Sequence, residues 1–471
     1  MTLINIEKIK KYFPLLLLIS IGIITSIIAR YNQTWEADNY WHYFFSKYSY
    51  AYPKFFLHHW GKPFFILLSA PFAQFGFYSI NLFNITCGLL SAWITFKFSK
   101  ALNFNASWMA ILLVLAVPIY FITLQSSLTE PLFGLLLILT SYLFFKEKYL
   151  WGAIVASTFM YSRSEGMFIL VLYALFLLVS RNWKYIPFLA SAFIIYSFAG
   201  YFSGHNFFWY FTENPYSENS GYGHGTWAHY FIKYREILGL PHTLLFVIGL
   251  CILLFKILKN KEFSNLKQLQ PNIKVFLLIV VPAFVYGFFH VYAWAEGKYA
   301  SAGLFRMFAP IVPFTALTGM YAIGFLNAQK LNIYLKAITC AGISFFMIYE
   351  TTGTYKYPLK ASGADKVEYE ASIWFKKIRD PNKVVYYAHP GLMFFCDYNP
   401  FDLDLNRECR GFPSNCVYNK NEPFYYVWDS QFSESGCGNK LEDLMNCPNL
   451  KLLRVFQDGD LFKLYFFEFT P

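Results

Sequence analysis

Repeated apolar runs, most of them long enough to cross a lipid bilayer, limit what this chain can fold into more than any other feature. A helix needs about 20 predominantly apolar residues to span the hydrocarbon core. With 56% hydrophobic and only 14% charged residues, the composition also departs from that of soluble domains. We therefore predict an all-α polytopic membrane protein with about 11 transmembrane helices. The runs cover residues 12–28, 79–96, 106–124, 131–145, 150–162, 166–180, 185–203, 240–258, 274–291, 307–325 and 331–349.

The distribution of basic residues predicts the orientation of these helices. Lysine and arginine concentrate in short cytoplasmic loops of membrane proteins. Here they are more frequent before the first run and in alternate loops thereafter, which puts the N-terminus in the cytoplasm and the C-terminus outside. No small-residue cleavage site follows the first run, so we interpret it as a retained helix. The net charge of +11 belongs to the membrane part and is not clustered, so no nucleic-acid partner is expected.

The first outside loop, residues 30–78, carries the candidate catalytic acids. Glu36 and Asp38 lie among tyrosine and tryptophan side chains, which settle at the depth of lipid headgroups. We expect amphipathic helices lying in the interface here. Asp38 is the first candidate for a catalytic base and Glu36 its competitor. Tyr40 and His59, from the same loop, are candidates for substrate binding.

Three further outside turns carry ionisable residues at the edge of the membrane. Ionisable side chains at membrane depth are expensive, so each is a functional candidate. Glu130 precedes a proline at the start of an apolar run, and a simple helix cap is the alternative for it. Arg163 lies in the next outside turn, where a salt-bridged loop is the alternative. Lys298 and Arg306 suit a lipid phosphate, or the anchoring of anionic headgroups in general.

The long outside loop, residues 204–239, is rich in glycine and aromatic residues. Such a loop is typical of a mobile segment that folds over a sugar or a headgroup, although a disordered connector is the alternative. Trp227 and His224 are its candidate substrate-binding residues. His224 and His229 could also ligate a metal, but the sequence has no convincing cluster of metal ligands, and no metal-binding residue is assigned.

Beyond residue 350 the apolar runs stop and short strand-like runs begin. A helix at 371–379 precedes the first of them, which predicts a small extracytoplasmic α/β domain over residues 351–471, after a transmembrane domain over residues 1–350. Five cysteines in this tail could form disulfides outside the cytoplasm, and neighbouring pairs, Cys409 with Cys416 and Cys437 with Cys447, are expected. A zinc site is the rival interpretation. The strand-like runs are 383–387, 424–428, 450–456 and 461–467.

The order and sidedness of these motifs resemble the GT-C glycosyltransferases, multispanning enzymes that use polyprenyl-phosphate-linked sugars and include protein mannosyltransferases and aminoarabinose transferases. The likeness covers roughly residues 10–325. Many members have adjacent acids in the first loop, whereas Ala37 separates Glu36 from Asp38 here. The residues that carry the likeness are Asp38, Thr129-Glu130-Pro131-Leu132-Phe133, Ser162-Arg163-Ser164-Glu165-Gly166 and the stretch from Arg306 to Pro313.

The resemblance implies an enzyme that moves a sugar from a polyprenyl-phosphate donor to a lipid, glycan or protein acceptor on the extracytoplasmic face. Asp38 would be the base, Glu130 a second acid, and Arg163, Lys298 and Arg306 the phosphate-binding cations. A divalent cation is left open as a cofactor. The localisation implied is a bacterial inner membrane, with membrane lipids as further partners.

Two other functions stay open from the sequence. One is a transporter or flippase of a lipid-linked sugar, for which internal repeats and broken helices would be expected. The other is a polysaccharide polymerase or ligase that uses arginines and histidines in a large loop. No phosphate-cradling glycine loop and no nucleophile elbow occur in the chain, which disfavours ATP-driven transport and serine hydrolysis.

Overall fold

The structure, a computed structural model, describes residues 6–216, 218–262, 269–330, 332–410 and 422–470, with side chains from residue 11 onward. It divides into two compact units. The first unit contains the chain up to Arg30 and from Phe45 to Lys356, and the second contains Tyr31–Phe44 and the chain from Tyr357 onward.

The first unit is helical. Its α-helices are α1 (Ile6–Tyr31), α2 (Ala37–Tyr48, shared with the second unit), α3 (Pro63–Ala73), α4 (Phe77–Ala101), α5 (Met109–Leu115), α6 (Pro118–Leu124), α7 (Glu130–Phe145), α8 (Tyr149–Ser157), α9 (Phe159–Ser162), α10 (Gly166–Val179), α11 (Ser191–Phe202), α12 (Trp209–Thr212), α13 (His229–Ile232), α14 (Tyr234–Ile237), α15 (Leu240–Lys259), α16 (Pro271–Val275), α17 (Val281–Ala295), α18 (Val312–Ala328) and α19 (Ile333–Thr354). Short 3-10 helices cover Pro53–Leu57, Trp183–Ala190 and Phe305–Ile311, and a π-helical turn covers Phe276–Val280.

Among the described residues, seven helical segments are long and apolar enough to cross a membrane, and the chain is an integral membrane protein. Three shorter apolar helices, α3, α7 and α10, accompany them. The predicted number of 11 transmembrane helices is not confirmed. Where one run was predicted at 106–124, the chain forms α5 and α6, because Pro118 starts a new helix and Val117 before it is extended. The seven segments are Lys11–Tyr31, Phe77–Ala101, Trp183–Phe202, Leu240–Lys259, Pro271–Ala295, Phe305–Ala328 and Ile333–Thr354.

A stripe of small and polar side chains on α4 packs the interior of the first unit. Small residues let membrane helices approach closely, and a Cβ on Gly88 would stand 2.3 Å from a methyl group of Leu124. The amide of Asn84 donates to the carbonyl oxygens of Ser126 and Leu128, at 2.7 and 2.8 Å. Because these residues lead directly into α7, Asn84 fixes the turn from which Glu130 emerges.

The second unit contains a mixed sheet, as the sequence predicts. Its described strands are β1 (Val384–Tyr387), β2 (Asn406–Glu408), β3 (Phe424–Asp429), β4 (Leu450–Asp458) and β5 (Phe462–Phe469), and its helices are α20 (Gly363–Ile378), α21 (Gly391–Cys396) and α22 (Leu441–Met445). The strand order is β2-β1-β3-β5-β4. β1 is parallel to β2 and β3, and β5 is antiparallel to β3 and β4. Phe375 of α20 packs on Tyr425 and Phe466 of the sheet.

The predicted disulfide pairing is wrong. Cys409 is bonded to Cys437, 28 positions away, instead of to Cys416. The backbone N–H of Cys409, just beyond β2, donates to the carbonyl of Tyr387, while Cys437 lies in the turn that follows β3. The sheet thus brings together two cysteines that are not neighbours in sequence, and Cys437 is not available to Cys447. Cys416 lies outside the described residues.

Candidate functional site

Glu130 and Arg163 form a buried ion pair in the first unit. Glu130 is the first residue of α7, and Arg163 directly follows α9. Nη1 of Arg163 lies 2.8 Å from Oε1 of Glu130 and donates to Oγ1 of Thr129 at 3.1 Å. Oε2 of Glu130 is also buried and has no hydrogen-bond partner among the described residues. One acceptor oxygen of the pair is therefore available to a bound molecule.

Glu165 holds the other side of the same guanidinium. Nε of Arg163 donates to Oε1 of Glu165 at 2.7 Å. Two side chains of α17 converge on that oxygen: the hydroxyl of Tyr286 donates at 3.2 Å, and Nε2 of His290 lies 3.4 Å away. Arg163 is consequently clamped between two carboxylates, which fixes its planar fork in one orientation.

Arg306 brings a second guanidinium to Glu130. It lies on the 3-10 helix Phe305–Ile311, is 7% exposed, and places Nε 3.6 Å from Oε1 of Glu130. The short helix packs closely on α7, since a Cβ on Gly134 would stand 3.1 Å from the carbonyl oxygen of Pro310. The glycine therefore permits the approach that brings Arg306 to the first turn of α7.

Lys62 is a third buried cation. Its Nζ donates to Oγ of Ser164 at 2.8 Å and lies 4.7 Å from the centre of the Tyr216 ring. The residue has a positive φ of 66° immediately before α3, a strained conformation for a side chain other than glycine. Burial lowers the pKa of Lys62 to about 7; Glu165 acts against this lowering, and Arg163 adds to it.

The charged cluster, defined as Lys62, Glu130, Arg163, Glu165 and Arg306, has an excess of positive charge. Within the described part of the chain it contains three cations and two carboxylates, all of them largely buried. Uncompensated charge is costly in such surroundings. An anionic group bound here would balance the cluster and would favour the charged form of Lys62.

His59 lies beside this cluster. Its ring stacks on Tyr210 with centres 4.1 Å apart, and its Nε2 is 3.0 Å from the Tyr210 carbonyl oxygen. The Tyr210 hydroxyl in turn lies 3.5 Å from Oγ of Ser164, the residue that accepts from Lys62. His59 is thus connected to the charged cluster through Tyr210.

The other predicted cation, Lys298, lies elsewhere. Its Nζ is 2.8 Å from Oδ1 of Asn219 and 3.7 Å from a carboxylate oxygen of Glu218, both in the loop at 204–239. The loop is fastened at this point, because Ser220 and Tyr299 donate backbone N–H groups to Gly297 and Glu218. Lys298 therefore helps to attach the loop, and its predicted contact with phosphate stays a prediction.

His224 and Trp227 lie in the same loop and are exposed. The Trp227 ring is 6.2 Å from the rings of Phe288 and Tyr292 on α17. A Cβ on Gly297 would stand 3.3 Å from Cβ of His224, so the two backbones run close together. Both side chains are exposed, and neither belongs to the charged cluster.

Glu36, Asp38 and Tyr40 belong to the second unit. Glu36 is exposed and directly precedes α2, while Asp38 is partly exposed in the first turn of that helix. A carboxylate in a first turn is favoured by the helix dipole. Tyr40 is completely buried, and its hydroxyl donates to Asp365. The two acids thus differ in setting, since Asp38 is held in a helix and Glu36 is not.

The sequence prediction omitted Lys62 and Glu165 from the site, together with Tyr286 and His290. His290 could have been found from the sequence, because an ionisable imidazole inside a predicted apolar run, here 274–291, is a candidate functional residue. Glu165 lies two residues from Arg163, and Lys62 directly precedes a proline at the start of an apolar helix. Within the described residues, no group of three or more histidine, cysteine, aspartate and glutamate side chains is arranged to hold a metal ion.

The fold as a whole is similar to a known one. ArnT from Cupriavidus metallidurans, in a crystal structure bound to undecaprenyl phosphate, matches this chain with a TM-score of 0.60 over 98% of this chain and 99% of that chain. The chain therefore has an ArnT-like fold. Sequence identity over the match is 10%, so the similarity concerns the fold alone. No family model and no curated protein matches the sequence.

Proposed function

We propose that the protein is a membrane glycosyltransferase that moves a sugar from a polyprenyl-phosphate donor to a lipid, glycan or protein acceptor on the extracytoplasmic face. The observation that carries the proposal is the ArnT-like fold over nearly the whole chain, because the matched protein was crystallised with a polyprenyl phosphate. The excess positive charge of the buried cluster supports it independently, since a phosphate group would balance that charge.

The proposed reaction is a substitution at the anomeric carbon of the sugar. The acceptor hydroxyl oxygen forms a bond to that carbon, and its proton passes to the carboxylate of Asp38. The bond between the anomeric carbon and the donor phosphate oxygen breaks, and the polyprenyl phosphate leaves with the electron pair. The leaving phosphate gains negative charge in the transition state, so fixed cations close to it lower the barrier.

The described side chains suit these roles. Arg163 is a guanidinium group held in a fixed orientation by two carboxylates, Arg306 brings a second guanidinium to 3.6 Å from Glu130, and Lys62 is a point charge on the same cluster. We assign the donor phosphate to these three cations, with Glu130 orienting the arginines and offering its second oxygen to a hydroxyl group. His224 and Trp227 on the long loop are proposed to contact the sugar or the acceptor. No step passes through a metal.

The test is transfer by the purified full-length protein in lipid nanodiscs. Radiolabelled polyprenyl-phosphate sugars are supplied with lipid, glycan and peptide acceptors, and labelled product is measured. Wild type is expected to transfer label, and Asp38→Asn to lose at least about 10²-fold in kcat, the range of general base catalysis. Asp404→Asn changes an exposed aspartate of the same unit and serves as the matched control.

Glu36→Gln distinguishes the two acids of the first loop. If it abolishes transfer while Asp38→Asn does not, the roles assigned to Glu36 and Asp38 are reversed. Transfer by neither wild type nor control, with movement of the labelled lipid across the bilayer instead, would replace the enzyme by a flippase.

A further inference from the structure

We propose that Asp365, on α20 of the C-terminal part of the chain, is a positioning residue that holds the segment carrying Asp38. The inference rests on the proposed function for its catalytic consequence, but not for the contact itself. Asp365 is 3% exposed and lies more than 300 positions from the segment that it binds. Three donors of that segment converge on its carboxylate.

Each oxygen of Asp365 has a defined task. Oδ2 accepts the hydroxyl of Thr34 and, at 2.9 Å, the backbone N–H of Trp35. Oδ1 accepts the hydroxyl of Tyr40. A carboxylate that accepts several hydrogen bonds is a strong acceptor, and each bond to a charged group contributes more than a neutral one. The carboxylate thus fixes the chain on both sides of Asp38, at three and four residues before it and at two residues after it.

A second set of contacts holds the same segment. The backbone N–H of Gln33 donates to the carbonyl of Leu359 at 2.8 Å, and the N–H of Leu359 donates to Oδ1 of Asn32 at 2.9 Å. The Tyr40 ring lies 4.6 Å from the ring of Phe394, which also contacts Trp35. Polar and aromatic contacts therefore act together, and the start of α2 is fixed in position and direction.

Asp365 itself stands on a rigid support. One turn further along α20, the buried Glu368 accepts from Leu392 at 3.0 Å and lies 2.8 Å from Nδ1 of His389. The His389 backbone N–H donates to Asp429 at the end of β3. These contacts tie α20 to α21 and to the sheet, so the position of Asp365 is set by the core of its unit.

Catalysis is sensitive to this placement because a general base must lie within hydrogen-bond reach of the proton it takes. A displacement of about 1 Å can cost roughly 10²-fold in rate. Substrate contacts made by residues outside the segment are unaffected by its displacement. Loss of the Asp365 carboxylate should therefore lower kcat and leave the donor KM nearly unchanged.

The experiment compares the full-length wild type, Asp365→Ala and Asp458→Ala in nanodiscs, by deuterium exchange and by transfer kinetics. Asp458 is the matched control, since it is an aspartate of the same unit whose carboxylate pairs with Lys366 and accepts from the Gly363 N–H. In Asp365→Ala we expect faster exchange of residues 31–44, unchanged exchange of β3, and a kcat about 10²-fold lower with donor KM within about twofold. Asp458→Ala should show neither change.

Conservative variants separate positioning from general stability. In Asp365→Asn the amide oxygen can take the place of Oδ2 and accept from both the Trp35 N–H and the Thr34 hydroxyl, while the amide NH2 donates to the hydroxyl oxygen of Tyr40, so most of the kcat should return. If Asp365→Ala also opens β3, Thr34→Val, which removes one donor from the segment only, is expected to show the same pattern more weakly. Unchanged exchange at 31–44 in both variants overturns the proposal. Absence of transfer by wild type overturns the proposed function, while the exchange comparison still decides the contact.

Discussion

Arg163 is held by carboxylates on two sides, and the contacts use different nitrogens of its guanidinium. Nε faces Glu165 and Nη1 faces Glu130, so the side chain is oriented before any ligand arrives. A pre-oriented cation needs no rearrangement when charge develops on a leaving group. The geometry therefore suits Arg163 for transition-state stabilisation better than a flexible surface cation.

Replacing Arg163 by lysine tests this orientation. A single ammonium cannot reproduce the planar fork that reaches both Glu165 and Glu130. We expect Arg163→Lys to lower kcat by about 10²-fold or more, the size of effect seen when one oriented charge-stabilising donor is lost. Transfer kinetics in nanodiscs provide the measurement. Arg181→Lys, at an exposed arginine, is the control, and equal loss in both variants would contradict the assignment.

The lowered pKa of Lys62 predicts a pH dependence. Its pKa of about 7 means that the ammonium is charged below that pH and loses its charge above it. If the ammonium binds the donor phosphate, kcat/KM for the donor should fall about tenfold per pH unit above pH 7. In Lys62→Arg the guanidinium stays charged, so this fall in kcat/KM above pH 7 should disappear. Lys54→Met, at an exposed lysine of the same loop, should leave the pH profile unchanged. If kcat/KM still falls above pH 7 in Lys62→Arg, the fall belongs to another group.

At the scale of single residues, the predicted membrane face of an ionisable residue is the most useful indication that it belongs to the site. Glu130, Arg163 and Arg306 are site candidates because each adjoins an apolar run on the same predicted face, and the structure brings all three together. Lys298 fulfils the same criterion but contacts Asn219 instead. The predicted membrane face of a residue does not say how far it lies from other residues on that face. This criterion therefore selects Lys298, which lies away from the charged cluster, and gives no preference to Lys62, which belongs to it.

Among the elements, α20 has the most unusual interior face. It buries Asp365 and Glu368 together, beside His389 of the following loop. Burial raises the pKa of Glu368 to about 7, against the influence of His389. Burial opposes the charge of His389, but the Glu368 carboxylate raises the pKa of the imidazole above its ordinary value. Both groups therefore hold a proton more tightly in the folded protein than in the unfolded chain.

This pair predicts how stability depends on pH. A group with a raised pKa contributes stability below its unfolded pKa and loses it as the pH rises through the folded value. The unfolding temperature of the second unit should therefore fall on going from about pH 5 to pH 8, by on the order of 5 °C. Glu368→Gln keeps the shape and removes the titrating carboxylate, so the fall should largely disappear. Thermal unfolding followed at several pH values checks it, and an unchanged slope in Glu368→Gln would refute it.

Elements that depend on local sequence were predicted well, and those that depend on distant contacts were not. The strand at 424–428 appears as β3, and the helix at 371–379 lies within a longer α20. The run at 106–124 was predicted as one helix, although Pro118 marks the break. The disulfide of Cys409 with Cys437 follows from strand order, which no local pattern determines.

On the scale of the whole molecule, that disulfide supports a prediction about topology. Disulfides persist in oxidising compartments and are rare in the cytoplasm. We expect Cys409 and Cys437 to resist alkylation in intact cells until a reductant is added. Cys437→Ser should lower the unfolding free energy by about 2 to 4 kcal/mol. Mass-tagging of thiols detects the bond, with the same protein reduced before labelling as the positive control; ready labelling of Cys437 without reductant would place this part of the chain in the cytoplasm.

The membrane character of the protein was predictable because hydrocarbon length is a fixed physical scale. The overall similarity to ArnT at 10% identity indicates that the same constraint can be met by very different sequences. The association of residues 31–44 with the C-terminal part was not predictable, since its contacts join residues more than 300 positions apart. No periodicity or residue spacing in the first loop predicts a contact with Asp365.

That long-range association has a consequence for biosynthesis. Thr34 and Trp35 leave the ribosome more than 300 residues before Asp365 does, and translation proceeds at roughly 5 to 20 residues per second. The first loop must therefore wait on the order of tens of seconds for its partner while helices are still being inserted. During that interval its aromatic side chains lack their native neighbours and are candidates for protection by a chaperone. Under the proposed function, transfer would begin only after α20 has folded onto residues 31–44, and a polypeptide terminated before Asp365 would be inserted but inactive.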